Sequence, residues 1–275
     1  MESDHKRLRG RPRGFNVQPG ANRIQSLDRA VGILKVLAAA DGLSLTEIAE
    51  ASGQAPATVY RILTTYQLQH MVEFQEDLQL WFVGPEAFRI GSAFLKRADV
   101  VERARPVMRQ LMLDTGETAN LAIADGADVV FLSQVESRDH IRAFFRPGTR
   151  GPIHASGIGK ALMAYFPDQA VDAILARQGL EAFTTKTITN AEALRRDLTA
   201  VRSRGWSLDD EERTSGMRCI AAPIFNEFGE AVAGVSISGP TVRLPDEEAA
   251  RLGERVRESA DAITAAAGGK QPGAP

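Results

Sequence analysis

A single cysteine, Cys219, stands in the 275 residues, so no intramolecular disulfide can form and a reducing compartment suits the chain. Histidine is nearly as sparse, with four residues scattered along the sequence, and together with one thiol they make no metal-ligand spacing. No stretch approaches the ~20 apolar residues needed to cross a bilayer. The basic N-terminus is not followed by the apolar core of a signal peptide. These absences predict a cytoplasmic, soluble protein with no membrane partner. Neither a glycine-rich dinucleotide fingerprint nor a P-loop is present, so the common nucleotide folds are not expected. Positive charge is not in excess either, the formal net charge being −2.

What is present is ordinary in bulk and uneven in detail. The chain is long enough for two domains, each with a core of its own, and its 44% hydrophobic and 25% charged content suits a globular protein. Residues 1–83 balance nine Lys/Arg against nine Asp/Glu, yet residues 1–23 alone hold six basic and two acidic side chains, a net of +4. A basic arm in front of a near-neutral module fits DNA binding in which phosphate attraction is concentrated at few places. Residues 1–22 are rich in Arg, Gly and Pro and are expected to be disordered without a partner. Within them Arg9-Gly-Arg-Pro-Arg-Gly14 has the composition of a minor-groove hook, with Arg11 and Arg13 as the contacts. Non-specific phosphate attraction is the alternative.

The most informative stretch is Ser44 to Leu63. Ser44 and Glu47 have the spacing of a capping box, and Gly53 ends the first helix at a position suited to positive φ. Pro56 falls in the first turn of a second helix, where a missing N–H costs nothing. Val59, Ile62, Leu63 and Tyr66 form one buried stripe, leaving Thr58, Arg61 and Thr65 on the opposite face. This is a helix-turn-helix, whose second helix enters the DNA major groove. Arg61 has the forked geometry for guanine, and Thr58 is placed for a base edge or phosphate. Gln54 and Ala57 can add contacts at the helix opening. Tyr60 either serves a phosphate or packs against the first helix. Upstream, Ser26 is expected to cap a helix to about Ala40 with Leu27, Val31, Leu34 and Leu37 buried. Downstream, Met71–Phe74 and Leu80–Val83 read as a two-stranded wing. The winged helix-turn-helix spans 23–84, and 85–98 is a helical linker.

Residues 99–267 mix helix and strand patterns. Val101–Gly116, Gly157–Tyr165, Asp168–Arg177, Ala191–Arg204 and Pro245–Ala266 read as helices. Thr118–Ala124, Val129–Val135, Ile141–Phe145, Ile220–Phe225 and Ala231–Ile237 read as strands. An antiparallel α+β sensor domain is the expected architecture, followed by a tail at 268–275.

Three segments taken in order resemble the IclR family of bacterial transcription regulators. They are the winged helix at 24–84, Pro152-Ile-His-Ala-Ser-Gly-Ile-Gly-Lys-Ala-Leu162, and Asp209-Asp-Glu-Glu-Arg-Thr-Ser-Gly-Met-Arg-Cys-Ile-Ala-Ala-Pro223. The run from Gly229 to Pro240 continues the likeness, which covers about residues 22–266. The resemblance implies an α+β fold with an N-terminal winged helix-turn-helix, a helical linker and a C-terminal GAF-like effector-binding domain. It also implies a homodimer or dimer of dimers on double-stranded DNA, controlled by a small carboxylate. By the same resemblance Gly157, Ile158, Asp209, Cys219, Ser236 and Ser238 contact the ligand, with Ala143 in an apolar wall. No cofactor is expected.

The residues themselves bear on that site. Ser156-Gly-Ile-Gly159 opens a helix, which either receives a carboxylate or is an ordinary capped start. Ser236 and Ser238 lie two apart in a strand and share a face. Asp209 would repel an anion unless it accepts a hydrogen bond from a ligand hydroxyl or is itself protonated. Hydrated glyoxylate offers such hydroxyls, so a short 2-oxoacid, glyoxylate first, is the expected effector. Pyruvate is the next choice, and an aromatic acid would need a larger, more apolar pocket. Two other functions are weighed. A thiol enzyme would use Cys219, His154 and Asp209, but a cysteine inside an apolar strand behaves as a small hydrophobe. An architectural DNA binder would rest on the Arg-rich arm and has no use for a ligand cavity.

Overall fold

The computed structural model describes residues 24–97 and 100–272. The Arg-rich arm with Arg11 and Arg13 therefore lies outside the described residues. The chain divides into two compact units between Phe94 and Leu95.

The first unit holds helices α1 (Gln25–Ala38), α2 (Leu45–Ser52) and α3 (Pro56–Leu68) and strands β1 (Val72–Gln75) and β2 (Leu80–Val83), with α4 (Pro85–Arg97) beginning in it. The capping box forms as the sequence predicts: Ser44 Oγ accepts from the Glu47 N–H, and the Glu47 carboxylate accepts from the Ser44 N–H at 2.8 Å. Gly53 closes α2 with φ of 63°, a left-handed conformation that glycine adopts without strain. Ile33, Leu37, Ile48, Val59, Leu63, Val72 and Trp81 are buried together, and a Leu43–Trp81 bridge ties the wing to the start of α2. The start of α1 departs from expectation. The helix begins at Gln25 with Ile24 at the cap position and no side-chain cap, so Ser26 is inside it. Ile33 and Leu37 join the core of this unit while Leu27 (59%) and Val31 (42%) stay exposed.

The second unit is built on one antiparallel sheet of order β5-β4-β3-β8-β7-β6. Its strands are β3 (Thr118–Asp125), β4 (Asp128–Val135), β5 (Arg150–Pro152), β6 (Ser207–Asp210), β7 (Met217–Phe225) and β8 (Ala231–Pro240). Helices α5 (Val100–Thr115) and α9 (Asp246–Ala266) pack one core with Ile220, Ala222, Ile224, Val235 and Ile237. Helices α6 (Gly157–Met163), α7 (Asp168–Gln178) and α8 (Ala191–Arg204) build a second core that takes Ala122 and Ala221 from the sheet. Because strand side chains alternate, Cys219 and Ala221 on β7, and Ser236 and Ser238 on β8, face α6.

Two strands differ from the sequence reading. Ile141–Phe145 is not a strand. The edge of β4 pairs instead with Arg150–Pro152, and Phe131 donates its N–H to the Thr149 carbonyl at 3.0 Å. The 141–149 run then loops back, exposing Ile141 and Phe144 but burying Ala143 and stacking Phe145 on Phe131 at 4.4 Å. Strand β6, Ser-Leu-Asp-Asp, carries no apolar alternation, so the sequence pattern does not predict it. Its ladder with β7 makes it, and it carries Asp209.

Candidate functional site

Two sites follow from these units, and the first is the outward face of α3. Arg61 and Ala57 are exposed, Thr58 and Gln54 are half-buried, and Tyr60 is 53% exposed. Tyr60 thus stands outward and not in the core. Arg61 makes no hydrogen bond or ion pair through its side chain among the described residues, and α3 contains no acidic residue. A free guanidinium on a helix without carboxylates is what a phosphate or guanine edge requires. The Thr65 hydroxyl is committed to its own helix, donating to the Arg61 carbonyl at 2.7 Å. The wing tip carries Glu76 and Asp77, both exposed, a charge that opposes close approach to phosphates.

The second site is a cavity of about 450 Å³ on the α6 side of the sheet. Its polar floor is set by strand register. Asp209, Cys219 and Ser238 are direct neighbours across β6, β7 and β8. Ser236 sits one rung on, opposite Asn120 of β3. The Ser238 hydroxyl donates to the Cys219 sulfur at 3.1 Å, and the Asn120 amide donates to Ser238 Oγ at 3.2 Å. Gln134 Nε2 in turn donates to Asn120 Oδ1 at 2.8 Å, fixing that amide's direction.

The opening of α6 closes the floor. Ser156 caps it, accepting from the Gly159 N–H at 3.4 Å. Glycines here are imposed by crowding: a Cβ on Gly157 would lie 3.0 Å from the Cys219 sulfur, and one on Gly159 would collide with the Ile153 carbonyl. Gly157 therefore admits Cys219 and does not itself line the cavity. Ala143, Ile158, Asp209, Cys219, Ser236 and Ser238, predicted apart in sequence, do line it together. With seven residues, α6 is too short for its dipole to carry anion binding.

Electrostatics sort the titratable groups. Burial, then the nearby Glu212 carboxylate, pushes the Asp209 carboxyl up to about 7. Burial, then the Asp209 charge, pushes the Cys219 thiol up to about 11. A thiol held neutral is a poor nucleophile. His154 Nε2 donates to the Glu181 carbonyl at 3.0 Å, a structural bond. No enzyme triad is assembled. The apolar wall is larger than two serines and a cysteine suggested, since Val129, Phe131, Phe144, Phe145 and Met217 also line the cavity. Phe144 and Phe145 come from the loop that the sequence pattern reads as a strand, while Val129, Phe131 and Met217 reach the cavity from β4 and β7, a placement set by sheet register. The sequence reading also missed Asn120, and Lys160, whose charge inside the otherwise apolar Gly-Ile-Gly-Lys-Ala-Leu-Met was a visible anomaly.

The family model for the bacterial transcriptional regulator IclR C-terminal domain matches residues 92–265, and that for the IclR helix-turn-helix domain matches residues 26–75. The chain belongs to the IclR family. It is 52% identical over 257 residues to the HTH-type transcriptional regulator BhcR of Paracoccus denitrificans, covering 92% of each chain. It is 38% identical over 264 residues to the acetate operon repressor of Salmonella typhimurium, covering 95% of this chain and 96% of the relative. The crystal structure of the Thermotoga maritima IclR superposes with a TM-score of 0.75 at 29% identity, covering 90% of this chain and all of that one. As an IclR-family member the chain is a DNA-binding transcriptional regulator and not an enzyme. No helix among the described residues is long and apolar enough to cross a membrane.

Proposed function

We propose that this regulator binds a palindromic promoter site as a homodimer or dimer of dimers, and that a small carboxylate in the C-terminal cavity sets its DNA affinity. The observation that carries the reading is the row of Asp209, Cys219 and Ser238 with Ser236 beside it, a polar floor under an apolar roof. A compact acid with donors and acceptors at both ends matches that floor, so a short 2-oxoacid is favoured, glyoxylate before pyruvate. The name of the acetate operon repressor supports a link to two-carbon acids. No cofactor takes part. Coupling follows from geometry: paired recognition helices must match the half-site spacing, so a small rotation between subunits changes affinity.

A second reading has its own support. The stacked Phe131 and Phe145 and the 450 Å³ volume suit an aromatic acid. Calorimetric titration with glyoxylate, pyruvate and 4-hydroxybenzoate separates them, run beside a gel-shift assay on the upstream intergenic DNA. Heat with glyoxylate and a changed shift supports the first reading. Heat with 4-hydroxybenzoate alone replaces it with the second.

A further inference from the structure

Behind the cavity floor lies a buried cluster in which acids outnumber bases. Lys160 of α6 is 1% exposed. Its ammonium contacts the Glu212 carboxylate, reaches Asp197 of α8 at 2.9 Å, and donates to the Leu208 carbonyl at 2.6 Å. Glu212 donates its backbone N–H to Asp209 Oδ1 at 2.8 Å, and its own Oε2 is buried with no hydrogen-bond partner among the described residues. Three carboxylates thus share one ammonium, and two of them hold it.

Asp209 is the acid left over. From β7 it faces the neutral Cys219 thiol, and from β8 the hydroxyls of Ser236 and Ser238. The guanidiniums around the cavity are engaged elsewhere. Arg218 pairs with Asp210 and Asp246, Arg150 with Asp125 and Asp128, and Arg142 with Glu136. Arg213 lies over the Phe183 ring at 4.1 Å. Among the described cations Lys160 alone acts on Asp209, and it is already held by Glu212 and Asp197, so Asp209 faces the Glu212 carboxylate without a cation of its own.

We propose that Glu212 is a positioning residue that holds a large share of Asp209 in its protonated form near neutral pH, so that Asp209 offers an O–H donor to an anionic ligand where an ionised carboxylate would repel it. This rests on the cavity being the effector site. Burial and the Glu212 charge act in the required direction and outweigh the Glu212 and Arg213 backbone N–H groups and the Lys160 charge, which act against it. Two consequences follow. Ligand binding takes up a proton once the pH passes the Asp209 midpoint, and affinity falls about tenfold per pH unit above it.

The test is a carbonyl-carbon NMR titration of the full chain labelled at aspartate, with Asp209→Asn used to assign the resonance. The expected midpoint in the free protein is about 7. Glu212→Gln should lower it by a unit or more, and Glu212→Asp, which keeps the charge, should restore it. A midpoint below about 5, or one that ignores Glu212→Gln, overturns the proposal. Calorimetry with glyoxylate at pH 8, in buffers of different ionisation enthalpy, should show most of one proton taken up in the wild type; binding without proton uptake also overturns it. Absence of any heat with glyoxylate, beside a midpoint near neutrality that moves with Glu212, would remove the oxoacid reading and leave the proton on Asp209 in place.

Discussion

Replacing Lys160 with methionine isolates the energetics of the buried cluster. Methionine keeps the length and apolar stem of lysine but removes the ammonium. Lys160 is 1% exposed and its Glu212 partner 5%, so solvent does not screen the pair. Removing one member of such a pair leaves an uncompensated buried charge, which costs about 3–5 kcal/mol. Asp197 is 23% exposed and adds the smaller share. Burial already raises the Glu212 carboxyl above its ordinary value, and Lys160 opposes that rise. Without Lys160 the folded-state value climbs further while the unfolded value stays put. The folded mutant then binds more protons than the unfolded chain, so its stability falls as pH rises through this window. The loss should be full at pH 8 and clearly smaller at pH 5, where Glu212 can take a proton. Urea unfolding at both pH values measures it, with Trp206 in the C-terminal core as reporter. Lys160→Met/Glu212→Gln should recover much of the deficit at pH 8. A loss below about 1 kcal/mol at pH 8, or one equal at both pH values, would refute this account of the cluster.

Asp209 gives the opposite sign on substitution. Burial lifts its carboxyl from the ordinary 3.8 to about 7, so wild-type stability declines as pH rises from about 4 to 7, by up to about 4 kcal/mol in all. Asp209→Asn should therefore raise the melting temperature at pH 8 and hardly change it at pH 4; an equal shift at both contradicts the burial effect. Arg61→Ala should cost roughly 1–3 kcal/mol of specific DNA binding in a salt-controlled shift assay; unchanged binding would remove Arg61 from the interface. Glu76→Gln/Asp77→Asn should tighten DNA binding several-fold at low salt and less at high salt, as screening removes the repulsion. No change at any salt would place the wing tip away from phosphate.

Local rules carried the first unit. Ser44, Glu47, Gly53 and Pro56 act within a few residues of one another, so the turn and both its helices follow from sequence without reference to the rest of the chain. The same holds for α8 and α9 and for the long strands, whose periodicity is strong. Where the expected pattern and the burial disagree, as at Leu27 and Val31, the reason is that burial depends on which part of α1 the rest of the unit covers, which no periodicity encodes. The loop at 141–149 was misread because its apolar residues alternate like a strand, while the edge hydrogen bonds went to Arg150–Pro152.

The sequence by itself determined the recognition helix, the α+β class and the residue types of the cavity. Only the tertiary structure decided that Asp209, Cys219, Ser238 and Asn120 share neighbouring rungs, since register depends on pairings far apart in the chain. It also decided the size of the apolar wall, and the gathering of Lys160, Asp197 and Glu212 behind the floor. The charge state of a buried carboxyl belongs to that gathering, because desolvation and neighbouring charge come from elements the local sequence does not specify.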